Sequence, residues 1–67
     1  MMPSPVRFAV VKRLLESQGW TLVRITGSHH HFAKPGEVGH YSIPVHKGQV
    51  KHGYYRDLQK DFENQGD

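Results

Sequence analysis

Apolar positions along this 67-residue chain recur with two different periods, and the changes of period mark its elements. From Val6 to Gln18 the apolar residues are Val6, Phe8, Ala9, Val10, Val11, Leu14 and Leu15. Val10, Val11, Leu14 and Leu15 share one helical face at i, i+3 and i+4, with Arg7, Lys12, Arg13 and Glu16 mostly elsewhere. Pro5 is expected in the first turn, where its missing N–H costs nothing, behind Ser4 as N-cap. Gly19 is expected to stop the helix in left-handed geometry. Trp20 to Thr26 is aromatic and β-branched and predicts a strand. Gly27-Ser28 predicts a turn, and His29 to Lys34 a second strand folded back on the first. Lys34-Pro35-Gly36-Glu37 predicts another turn. From Gly39 to Val45, Tyr41, Ile43 and Val45 alternate as one face of a third strand, and Pro44 puts that strand at a sheet edge. His46 to Gln49 reads as a polar connection. Val50, Tyr54, Leu58 and Phe62 then recur every fourth residue, the stripe of a second amphipathic helix. Gly53 costs about 1 kcal/mol against alanine inside a helix, so the regular part is expected from near that residue. Glu63 to Asp67 is a polar tail expected to fray.

Helix, three strands, helix is the order of an α+β domain. The expected architecture has two layers: a three-stranded antiparallel sheet with both helices on one face and solvent on the other. The whole of residues 1–67 is expected to be one domain, with its core between about 6 and 62. A chain of this size buries only about 60% of its unfolded surface, so its stability should be modest. With no cysteine, neither a disulfide framework nor a thiolate metal site is available, and a reducing, cytoplasmic setting is the expectation. Met1-Met2-Pro3-Ser4-Pro5 has neither a charged nor an apolar leader segment, and no run of 18 apolar residues predicts a membrane span. A net charge of +3, with six histidines besides, makes nucleic acid a reasonable partner, although the same charge also serves solubility.

Three of the six histidines stand together in Gly27-Ser28-His29-His30-His31-Phe32. Histidine exchanges protons near neutral pH, with an unperturbed pKa of about 6.5. Side chains alternate across a strand, and Phe32 is the natural core residue of this one. His30 shares the Phe32 face, where a partly buried, hydrogen-bonded imidazole is expected. His29 and His31 point to the open face, with His40 nearby and His46 just beyond the third strand. Arg24, Lys34 and Lys47 lie around the edges of that face. Exposed imidazoles among cations suit cleavage of an RNA phosphodiester, in which a base takes the 2′-hydroxyl proton and an acid protonates the leaving oxygen. The same histidines are also compatible with mere solvation. Zinc held by His29 and His31 with His40 or His46 is the rival chemistry. The nearest acid is Glu37, and no H-E-x-x-H helix exists, so no metal ligand is assigned.

Glu16-Ser17-Gln18-Gly19-Trp20, Leu22-Val23-Arg24, Gly27-Ser28-His29-His30-His31-Phe32 and Ile43-Pro44-Val45-His46 together resemble the HicA family of toxins, small mRNA interferases of type II toxin–antitoxin systems. The likeness covers about Val6 to Phe62. It implies a fold related to the double-stranded-RNA-binding domain and a metal-independent endoribonuclease activity on mRNA. It also implies inhibition by a HicB-like antitoxin, and no small-molecule cofactor or membrane partner. The family's functional histidine follows Gly-Ser and stands three before the aromatic residue, which is His29 here. His30 and His31 fall on positions that vary among relatives. The residues expected to contact RNA are Ser28, His31, Arg24, Lys34, Lys47 and His46. Lys47, His46 and Arg24 are unranked candidates for a second proton-transfer group. The alternative function is a non-catalytic RNA-binding module of similar shape.

Overall fold

A computed structural model describes residues 4–64. In chain order the elements are β1 (Val6–Arg7), α1 (Phe8–Ser17), β2 (Thr21–Thr26), β3 (His29–Ala33), β4 (Tyr41–Pro44), β5 (Gln49–Val50) and α2 (His52–Asn64). Strands β2, β3 and β4 form an antiparallel sheet in that order, so Pro44 does lie in an edge strand. The α+β fold, with three sequential strands between two helices, is the one the hydrophobic pattern predicts. A second, two-stranded antiparallel ribbon, β1 with β5, was not foreseen.

One core unites the layers. Val11 and Leu15 of α1, Trp20, Phe32 of β3, Ile43 of β4, Val50 of β5, and Leu58 and Phe62 of α2 are all buried. Phe32 is completely inaccessible and packs against the Phe8 ring, with centroids 6.2 Å apart. Trp20, Tyr41 and Phe62 form an edge-to-face series with centroid separations of 4.7 and 5.9 Å. The Tyr41 hydroxyl donates to Asp61 Oδ2 at 3.3 Å, joining the edge strand to α2. Gly19 does close α1: at φ +90° its amide donates to the Glu16 carbonyl, while Gln18 and Trp20 both donate to Leu15, each at 3.0 Å.

Four details depart from the sequence reading. Helix α1 begins at Phe8 rather than behind Ser4 and Pro5, because Val6 and Arg7 pair with Val50 and Gln49 instead. The N-cap is Arg7, whose side chain makes no capping bond. Val10 is 40% exposed, and the buried stripe of α1 is Val11 and Leu15 with Phe8 and Leu14 partly covered. Val50 belongs to β5 rather than to the second helix, which starts at His52; Tyr54 also leaves the core, and Tyr55 packs there in its place. His46 to Gln49 is more than a polar connection: His46 and Gln49 exchange two backbone hydrogen bonds of 2.9 Å across Lys47 and Gly48. The expected fraying of Glu63 to Asp67 falls in part on residues 65–67, outside the described residues; Glu63 and Asn64 close α2.

Candidate functional site

The site is built on the β2–β3 hairpin. Thr26 pairs with His29 across the two-residue loop Gly27-Ser28. Gly27 has φ +59°, the sign that such tight hairpin loops require at their first central position and that a side chain would disfavour. This fixes the register, and register decides which way each histidine points. His29 lies opposite Pro44 and His31 opposite Ser42, whereas His30 and Phe32 lie opposite Ile43 and Tyr41 of the core face. His30 is half-buried with its ring 4.6 Å from that of Phe8. Its Nδ1 is buried without a partner among the described residues, contrary to the expected hydrogen-bonded imidazole.

His29 is exposed and opens into a cleft of about 280 Å³ lined also by Ser42, Pro44, His46, Lys51 and Tyr54. Three parts of the backbone assemble it. β3 supplies His29, and β4 supplies Ser42 and Pro44. The Val45 amide donates to the Ser28 carbonyl at 2.7 Å, which ties the segment before His29 to the segment before His46. The short hairpin then reverses the chain so that Lys51 and the first turn of α2 border the same space. None of the six lining residues is acidic. The cleft therefore combines two imidazoles, one ammonium, one phenol and one hydroxyl, a set suited to an anionic substrate needing proton transfer.

A second group lies farther along the same face. His31 pairs in register with Arg24, and its ring is 6.1 Å from that of His40. Desolvation, with the positive charge of Arg24 and the neighbouring His29, His40 and His30 adding to it, holds the His31 pKa below the ordinary 6.5. In the free protein His31 is thus mostly neutral at pH 7, and its Nδ1 is buried without a partner among the described residues. It presents a polar ring here rather than a cation.

The remaining sequence candidates separate. Ser28 contributes its backbone carbonyl as described. Lys34 lies at the far end of β3: a Cβ added at Gly19 would meet its Cε at 3.2 Å, so its stem crosses the carboxyl end of α1. A cation there complements the helix dipole. Lys47 occupies the tip of the short hairpin with φ +53° and is exposed, and it does not line the cleft. Lys51 and Tyr54 escaped the sequence reading because the apolar stripe assigned Tyr54 to the core. Their i, i+3 spacing at a helix start was the available signal. Among the described residues no three histidine or acidic side chains are grouped as a metal site. No described helix is long and apolar enough to cross a membrane.

No curated protein matches the chain. A family model described as HicA toxin of bacterial toxin–antitoxin matches residues 9–63, from the first turn of α1 to the last of α2. A match over that much of a 67-residue chain takes in the three-stranded sheet, nearly all of both helices and both histidine-bearing segments of the cleft, and the protein is a member of the HicA toxin family, the toxin half of a toxin–antitoxin pair.

Proposed function

We propose that this HicA-family toxin is an endoribonuclease that cleaves mRNA in the cytoplasm by histidine acid–base chemistry, with His29 at its centre. The observation that carries the reading is the position of His29: exposed, in a cleft with His46 and Lys51, and free of carboxylates. A neutral imidazole there accepts a proton from a ribose hydroxyl, and Lys51 holds the phosphate. Arg24, farther along the same face, extends the cationic track for the strand. The antitoxin partner is HicB-like and neutralises the toxin by binding it in a complex. No metal takes part.

The test is cleavage of a defined mRNA by purified protein, together with growth after induced expression. His29→Ala is expected to lose cleavage and growth arrest while melting like the parent, because the side chain is exposed. Addition of EDTA is expected to leave cleavage intact. A His29→Ala protein that cuts at the parent's rate removes His29 from the mechanism. Parent protein that binds RNA without shortening it establishes the RNA-binding module instead.

A further inference from the structure

We propose that His46 is the general acid that protonates the leaving oxygen, paired with His29 as the general base. This rests on the endoribonuclease reading above and adds the second half of its proton transfer. His29 lies opposite Pro44 at the end of the β3–β4 ladder, and His46 follows Pro44 by two residues. The intervening Val45 amide is fastened to the Ser28 carbonyl at 2.7 Å, so the residues preceding the two histidines are directly bonded. His46 itself is held by two 2.9 Å backbone bonds to Gln49. Both imidazoles line one cleft, together with Ser42 and Pro44 of the sheet and with Lys51 and Tyr54 at the start of α2.

The other donors are poorer acids or are misplaced. Arg24 lies opposite His31 rather than at the cleft, and a guanidinium does not release its proton. Lys47 is at the hairpin tip. Lys51 and Tyr54 offer an ammonium and a phenol, whereas imidazole is the side chain best matched to proton transfer near neutral pH.

In the step assigned here, neutral His29 takes the 2′-hydroxyl proton and the 2′-oxygen bonds to phosphorus. The bond from phosphorus to the 5′-oxygen breaks as His46 imidazolium gives that oxygen its proton. The products are a 2′,3′-cyclic phosphate and a free 5′-hydroxyl. His29 leaves the step protonated and His46 neutral, so protons balance without a co-reactant.

A sulfur leaving group separates the two roles, because a thiolate departs without being protonated. The cut made by the parent in a short RNA is mapped first, and the 5′-oxygen at that bond is then replaced by sulfur. His46→Ala and His46→Gln are expected to cut the oxygen RNA at least about 100-fold more slowly than the parent. Both are expected to cut the sulfur RNA within a few-fold of the parent's rate. His29→Ala is expected to be slow on both. Both His46 variants should melt like the parent, since the His46 side chain is exposed and its fastening is through backbone. Equal slowing of the His46 variants on both RNAs, or parent-like cutting of the oxygen RNA, overturns the assignment while leaving His29 in place. A parent protein that cuts neither RNA removes the endoribonuclease reading and this proposal with it.

Discussion

Replacing His30 by phenylalanine should make this toxin more stable and leave its cleft untouched. His30 is the one member of the histidine run on the core face, half-buried with its ring tilted 54° against Phe8 at 4.6 Å. Its Nδ1 is buried without a partner among the described residues, and such an atom costs roughly 1–3 kcal/mol in lost hydration. Only part of the ring is covered, so the lower end applies, about 1 kcal/mol. Phenylalanine keeps the ring pair with Phe8, removes the polar atom and suits a strand. In a domain of 60–100 residues, about 1 kcal/mol raises Tm by roughly 4–8 °C. His30→Ala is the control: it also removes Nδ1 but forfeits the ring contact, and its Tm should fall. Thermal melts followed by far-UV circular dichroism read all three proteins, and cleavage of mRNA is measured alongside. The reasoning fails if His30→Phe melts as low as His30→Ala, because Nδ1 would then be satisfied in solution. It also fails if His30→Phe stops cutting RNA while His29→Ala does not, because the two faces of β3 would have been exchanged.

Acid should destabilise the fold through His31. Its pKa lies below the ordinary 6.5, so between the two values the unfolded chain binds more protons than the folded one. Stability from this group is therefore present above about pH 6.5 and lost as pH falls toward the folded-state pKa. His31→Gln should narrow the difference between Tm at pH 7.5 and at pH 5.5, and an unchanged difference would show that His31 is not the group responsible. Lys47 sits at φ +53°, a left-handed conformation that costs a residue with a side chain roughly 1–2 kcal/mol, partly offset for glycine by its freer unfolded chain. Lys47→Gly should raise Tm by a few degrees with little change in RNA cleavage. A lower Tm would refute the strain argument, and a large loss of cleavage would return Lys47 to the RNA contacts.

The parts of this fold that are local in sequence were readable from it. Leu15 before Gly19, the Trp20 to Thr26 run, the Gly27-Ser28 loop and the parity of Phe32 each depend on neighbours within a few residues. The β1–β5 ribbon was not readable, because two residues carry no period. Val6 and Val50 look like members of the helical stripes they precede, and only their mutual pairing takes them out. Tyr54 was misplaced for the same reason: a four-residue stripe begun from Val50 is one position out of phase with Tyr55, which packs in the core. The cleft suffered accordingly. Strand parity brought out His29, but its cleft neighbours Lys51 and Tyr54 depend on how the chain turns after His46. That turn is closed by Lys47 in a conformation that lysine seldom adopts.

The ribbon also sets the order in which this protein can come into being. Val6 pairs with Val50 across 44 positions of a 67-residue chain (50 − 6), and the Phe8 amide donates to the Gly48 carbonyl at 2.9 Å. Contacts so distant in sequence close late, after the loop between them has been paid for in entropy. During synthesis α1 stays without its N-terminal anchor until residue 50 has emerged, and Leu58 and Phe62 reach the core later still. Lys51 and Tyr54, the helix-side wall of the cleft, belong to that last segment. A ribosome that stalls or releases the chain before α2 yields an open sheet with half a cleft, so the toxin is assembled only once its message has been read through that helix.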